Sequence, residues 1–329
     1  MERKQIKWGY MGAGRIASWF AQGMTAAQDS VLYAIGSRSL EKAKKFADEH
    51  NVEKAYGSYE ELVRDPDIDI IYIAVPVRYH YECIKLAFEA GKHVLAEKSL
   101  TVNAAQAREL IELAREKNLF FMEAMWTKCQ PVYLKIQEWI RAGLLGEIRA
   151  VDGRFYTKAG KGHRLFHQDL AGGALLDLGI YPITYACAVL GYAPKSIHCN
   201  GMVGAENVDY LDSIVLEYEN GAFANLTCGL GNEKMIGLYI QGTKGRIRME
   251  EEPFFYAAKA EAYDMENQLI AAFEEPFLKN GYEYEAIEAA KCLLQGKKES
   301  DKVPMAETLA VMEIMDECRR QMGLRFDFE

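Results

Sequence analysis

Six residues, Gly12-Ala13-Gly14-Arg15-Ile16-Ala17, constrain this chain more than any other segment. They follow a short apolar run, Ile6 to Met11, and open a stretch of helical composition from Arg15 to about Ala26. Glycine at 12 permits a tight turn, and glycine at 14 lets a bulky anion reach the backbone. Ala17 keeps helix and strand close. A helix starting there presents N–H groups and the positive end of its dipole. The pattern is G-x-G-x-x-A, the pyrophosphate cradle of a dinucleotide site, when it sits between a strand and a helix as it does here. Gly12, Ala13, Gly14, Arg15 and Ile16 are its candidate contacts.

The rest of the first 123 residues supports that context. Apolar runs at Val31–Ile35, Ile68–Val75, His93–Ala96 and Leu119–Met122 alternate with helical segments at Leu40–His50, Tyr59–Val63, Tyr79–Ala90 and Ala104–Lys117. Ala55 and Tyr56 allow a further short strand. Strands that read as unbroken apolar runs are those buried on both faces of a parallel sheet. The pattern predicts an α/β N-terminal Rossmann domain, a doubly wound parallel sheet, over residues 1–123.

Beyond Glu123 the pattern changes. A helix near Pro131–Ala142 leads to a strand near Ile148–Tyr156, then a loop rich in Gly, Lys and His from Thr157 to Gly173. Ala174–Leu190 has helical composition, with Pro182 predicting a kink or break. Strand-like runs at Ile214–Tyr218 and Ala222–Thr227 flank Asn220-Gly221, a hairpin signal. Ile236–Gln241 and Arg246–Met249 flank a second, Gly242 to Gly245. Helices near Tyr282–Leu294 and Met305–Met322 finish the chain. Residues 124–329 therefore read as an α+β C-terminal domain with a large, mostly antiparallel, open-faced sheet, serving substrate binding and dimerisation. Its helices are too few to cover both faces, so strands carrying Ile214, Leu216, Leu226, Leu238 and Ile240 predict an apolar surface for a homodimer.

Composition narrows the partners. Lys and Arg total 39 against 48 Asp and Glu, a net charge of −9. That disfavours nucleic acid and anionic membranes, which need a basic surface. No run approaches the ~18 apolar residues of a membrane span, and the N-terminus lacks the apolar core of a signal peptide. Seven scattered cysteines without a CxxC pair read as reduced thiols, hence a cytoplasmic protein. No His, Cys and carboxylate set has metal-ligand spacing, so no metal is expected.

The end of the second strand selects the cofactor. An NAD site usually places Asp or Glu there for the ribose 2′-hydroxyl. Here the residues are Gly36-Ser37-Arg38-Ser39, with no carboxylate before Glu41. Ser37 donates hydrogen bonds and Arg38 clamps a 2′-phosphate, so NADP is expected over NAD. Ala74 and Pro76 end the most apolar strand, where ligands of parallel sheets sit. His80 stands four residues on, as a cofactor contact or as a capping or surface histidine. Glu97 and Lys98 end the next strand, beside the expected nicotinamide.

These motifs, with Gly172-Gly173-Ala174-Leu175-Leu176-Asp177 and Gly179-Ile180-Tyr181, resemble the glucose-fructose oxidoreductase and inositol dehydrogenase family, Gfo/Idh/MocA. The resemblance spans essentially the whole chain. Glu123-Ala124-Met125-Trp126-Thr127, His163-Arg164-Leu165-Phe166 and the tyrosine at 181 are similar to its branch of dimeric dihydrodiol dehydrogenases and NADP-dependent pentose dehydrogenases. Ser99 departs from the family's Glu-Lys-Pro. The resemblance implies a dehydrogenase moving a hydride between a secondary alcohol of a sugar, cyclic polyol or trans-dihydrodiol and NADP. It also implies catalytic roles for Lys98, Asp177 and Tyr181, and a face-to-face homodimer.

The residues themselves fit that chemistry. Asp177 and Tyr181, four apart, share a face of any helix. A tyrosine with a free pKa of ~10 is a poor base near neutrality, and an ammonium such as Lys98 would favour its phenolate. Trp126, Arg164 and Phe166 are candidate substrate contacts. Two other readings stand beside this one: an NADP-binding sensor or scaffold without turnover, and a glycosidase that recycles its nicotinamide.

Overall fold

The computed structural model describes residues 5–160, 162–231, 233–250 and 253–329. The chain forms two compact units, neither continuous in sequence: residues 1–129 with 277–308, and residues 130–276 with 309–329. The expected boundary at 123/124 falls short of this division, and a C-terminal segment returns to the first unit.

The first unit holds strands β1 (Ile6–Met11), β2 (Ser30–Gly36), β3 (Lys54–Tyr56), β4 (Ile70–Ile73), β5 (His93–Glu97) and β6 (Phe121–Ala124). They pair in the order β3-β2-β1-β4-β5-β6, parallel throughout. This is the doubly wound order expected, with its switch point between β1 and β4. Helices α1 (Arg15–Met24), α2 (Leu40–His50), α3 (Tyr59–Val63), α4 (His80–Glu89) and α5 (Ala104–Glu116) connect the strands. Short polar side chains cap three of them, satisfying N–H groups that a helix leaves open. Ser39 accepts from Lys42 N, Ser58 from Glu61 N and Asn103 from Gln106 N.

The second unit holds α6 (Pro131–Arg141), β7 (Ile148–Thr157), α7 (Ile180–Leu190), β8 (Ser196–Val203), β9 (Asp209–Glu217) and β10 (Phe223–Leu230). It continues through β11 (Met235–Gly242), β12 (Gly245–Met249), β13 (Lys259–Asp264) and β14 (Leu269–Glu274). Its eight-stranded sheet runs β14-β13-β12-β11-β7-β10-β9-β8. Only β7 and β10 pair parallel. Both glycine hairpins form, joining β9 to β10 and β11 to β12. In the first unit α8 (Glu283–Leu294) follows, and α9 (Met305–Met322) starts there and ends in the second.

Three expectations need correction. Pro182 does not break its helix: the chain is helical from Ala174 through Leu190, and the π-helical turn Leu175–Gly179 just ahead of Pro182 is the local irregularity in it. Residues 168–190 are long and apolar enough by length and composition to cross a membrane, yet 78% of the apolar window is buried within the protein, as core. The residues offered as an association surface are buried too: Ile214 and Leu226 are 1% exposed, Leu216, Leu238 and Ile240 not at all. Strand alternation puts them on the face that α7 covers. The other face presents Asp152, Arg154, Asn225, Thr227, Tyr239 and Gln241, and is polar.

Candidate active site

In the first unit the glycine loop sits at the switch point. Gly12 has φ +102°, a conformation glycine adopts without strain. A side chain there would also meet the Ala74 carbonyl oxygen at 2.6 Å, so β1 and β4 approach closely. Gly12 N donates to Gly36 O at 3.0 Å and Ala74 N to Met11 O at 2.9 Å. Gly14 differs. It is the N-cap of α1, has no side-chain cap, and a Cβ added to it would meet nothing within 4 Å. Amide donors of a helix start thus face open space, as a pyrophosphate requires. Gly14→Asp separates the two roles of this residue. Aspartate is a favoured N-cap, so the unfolding midpoint should hold or rise slightly. Its carboxylate would repel the diphosphate, and dinucleotide affinity, read by calorimetric titration, should fall by about tenfold or more, a difference of ~1.4 kcal/mol.

At the end of β2, Ser37 is buried and Arg38 exposed. The Arg38 guanidinium lies 5.5 Å from the centre of the Tyr79 ring, and Arg78 lies 5.8 Å from the same ring. Two guanidinium groups therefore flank one aromatic beside the loop that Pro76 begins. Arg78, which also pairs with Glu82 at 3.4 Å, was not foreseen. An arginine in a row of ordinary helix-start residues has no signature until the fold brings it to Arg38.

Lys98 follows β5. Its neighbour Glu97 accepts a hydrogen bond of 2.5 Å from the Tyr72 hydroxyl. Burial pushes that phenol well up, and the Glu97 charge adds to this. The Lys98–Ser99 peptide is cis. His80 is fully buried. Its Nδ1 lies 3.0 Å from Ser99 O and 3.2 Å from Leu100 O, and its Nε2 lies 2.9 Å from Val75 O. The surface reading of His80 therefore fails, and the ring ties the turn after β4 to the turn that carries Lys98. Glu123, on β6, holds the same turn, accepting from Leu100 N at 3.1 Å and from Thr308 Oγ1 at 2.9 Å. Burial pushes its carboxyl up, against the pull of those bonds and of Lys128 and Lys98. Trp126 is nearly buried, stacked on Tyr282 at 4.4 Å.

The second unit carries the remaining candidates. Asp177 lies in the π-helical turn, and its Oδ1 accepts from Arg164 Nη2 at 2.8 Å. Pairing with a guanidinium favours the ionised carboxylate. Tyr181, 7% exposed, is the second residue of α7, its ring 4.7 Å from that of Phe255 and 5.9 Å from that of Phe155. Four residues and a π turn put Asp177 and Tyr181 at the same end of one helical segment. Phe166 is buried, edge-on to Tyr210 at 5.3 Å. No metal-binding cluster of His, Cys and carboxylates occurs among the described residues.

Comparison with known proteins gives this arrangement its class. Residues 6–125 match the oxidoreductase family with an NAD-binding Rossmann fold, and residues 133–248 match the GFO/IDH/MocA C-terminal domain. The protein is a nicotinamide dinucleotide-dependent oxidoreductase. It belongs to the Gfo/Idh/MocA family. Curated relatives include trans-1,2-dihydrobenzene-1,2-diol dehydrogenase of Bos taurus, 34% identical over 98% of both chains. The enzyme of that name from Xenopus tropicalis is 36% identical over 97% of this chain and 99% of its own. Among solved structures, a 3-ketoreductase from Actinomadura kijaniata in complex with NADP and TDP-benzene superposes with TM-score 0.85. It is 28% identical and covers 97% of this chain and 98% of its own. That enzyme was also solved with one lysine, and with one tyrosine, replaced.

Proposed function

We propose that this protein is an NADP-dependent dehydrogenase of a secondary alcohol on a small diol, polyol or sugar. One observation carries the choice of NADP: Arg38 ends β2 where NAD sites place a carboxylate, and Arg78 joins it around Tyr79. The relatives support the substrate class, since their names specify a dihydrodiol dehydrogenase and a ketoreductase crystallised with NADP.

When bound, the nicotinamide exchanges a hydride with the carbon that carries the substrate oxygen. This chain's residues do the rest. The N-terminus of α1 and Gly14 hold the pyrophosphate, and Arg38 the 2′-phosphate. Tyr181 exchanges the proton of the substrate hydroxyl. The Lys98 ammonium favours negative charge as that proton leaves. Arg164 fixes the Asp177 carboxylate, which orients the substrate hydroxyl. His80 and Glu123 hold the turn that aims Lys98. A panel of dihydrodiols, cyclic polyols and aldoses, each tested with NADP⁺ and NAD⁺, checks the reading by the absorbance of the reduced nicotinamide. Net reduction, faster with NADP⁺ at equal concentration, is expected. Cofactor binding without net reduction for any of them, or glycoside cleavage with none, would overturn it.

A further inference from the structure

Outside the candidate active site, two thiols of the second unit meet across a strand and a helix. Ile197, Cys199 and Gly201 lie on one face of β8, by the strand's period of two. Cys318, Gln321 and Met322 share a face of α9, by the helical spacing of three and four. The two faces are clamped together. Cys199 N donates to Gln321 Oε1 at 2.7 Å, and Gln321 Nε2 donates to Ile197 O at 2.7 Å. Gly201 sits so close to Met322 that an added Cβ would lie 2.2 Å from its sulfur. One turn back from Gln321, the Cys318 thiol meets that of Cys199.

The two sulfurs have different surroundings. Cys318 is fully buried. Cys199 is the one cysteine of the seven that is not buried. Its hydrogen bond with Cys318 holds the Cys199 thiol below its ordinary range, against burial and the Asp209 charge. The same bond, with burial, raises Cys318 far above it. Asp212 and Cys228 also face the pair, with Cys228 Sγ donating to Asp212 Oδ2 at 3.1 Å. Burial and Asp209 push the Asp212 carboxyl up to about 10, so near neutrality it carries a proton and adds no charge. A partly exposed thiol with lowered pKa beside a buried partner is the arrangement of an attacking and a resolving cysteine.

We propose that Cys199 and Cys318 form a disulfide, driven by a peroxide and reversed by thiols, that fastens edge strand β8 to α9. The Cys199 thiolate attacks one peroxide oxygen, the O–O bond breaks, and sulfenic acid and hydroxide result. The Cys318 sulfur then attacks the Cys199 sulfur, the S–O bond breaks, and its proton leaves with that oxygen as water. Two thiols and one hydrogen peroxide give one disulfide and two waters. The chain from 199 to 318 becomes a closed loop, which lowers the entropy of the unfolded state.

The test is titration of the reduced full-length protein with hydrogen peroxide, read by intact mass and by peptide mapping without reductant. The expected product has lost the mass of two hydrogen atoms, links the peptides bearing Cys199 and Cys318, melts at higher temperature and reverts with dithiothreitol. Cys318→Ala should stop at sulfenic acid on Cys199, trapped by dimedone; Cys199→Ala should leave Cys318 a thiol. Oxygen added at Cys199 while Cys318 stays alkylatable, a link between other cysteines, or two unmodified thiols would overturn the proposal. Should either variant fail to fold, mapping of the wild-type protein decides alone.

Discussion

Tyr181→Phe should lower kcat by about 10²- to 10⁴-fold while leaving the unfolding midpoint and NADP⁺ affinity close to wild type. That range is what a positioned acid–base group contributes. The substitution removes one hydroxyl and keeps the ring, so the contacts with Phe155 and Phe255 survive. Lys98→Met should cost at least as much, because in the proposed reading its ammonium favours the negative charge that develops as the proton leaves, and the kinetic pKa of any residual activity should rise. Steady-state kinetics across pH, beside a thermal melt, gives both numbers. Near-full kcat in Tyr181→Phe with none in Lys98→Met would make Lys98 the acid–base group and leave Tyr181 to packing.

Arg38→Ala should weaken NADP⁺ binding by roughly 10- to 150-fold and leave NAD⁺ nearly unchanged. Hydrogen bonds to a charged group contribute about 1.5–3 kcal/mol, which converts to that range. The side chain is exposed and lies over the Tyr79 ring, so folding should not suffer. Calorimetric titration of both cofactors settles the matter. Equal losses would remove Arg38 from the 2′-phosphate and leave Arg78 as the candidate.

The nucleotide-binding half was legible because its signals are local. The strands are short apolar runs, and Ser39, Ser58 and Asn103 each stand immediately before the helix they cap. The larger sheet was legible at β7 and at its two hairpins. Strands β13 and β14 escaped notice because Lys259–Asp264 and Leu269–Glu274 are rich in alanine and glutamate, residues that favour helices. Their strand state is imposed by neighbours: β13 pairs on both sides, and β14 closes the edge. β8 hid for another reason, since alternate polar residues dilute its apolar face.

The candidate site divides in the same way. Gly12, Gly14 and Arg38 follow from spacing within one βαβ unit. The roles of His80 and Glu123 do not, because each depends on partners 20 or more residues away, at Leu100 and, for Glu123, also at Thr308. Arg164 and Asp177 were singled out separately, and neither showed in sequence that it holds the other.

The nucleotide-binding unit has a seam in time as well as in sequence. Its C-terminal piece, residues 277–308, covers an aromatic layer made by the first piece: Tyr282 meets Phe20 and stacks on Trp126, and Asn280 bonds Trp19 O. A ribosome that has finished residue 129 has made every strand of the parallel sheet but not the helix that shields this layer. Residues 130–276 must emerge before the shield does. The nascent chain therefore carries a nearly complete nucleotide-binding sheet with one greasy flank open for the time needed to translate the second unit. A gene cut at 129 would make that interval permanent.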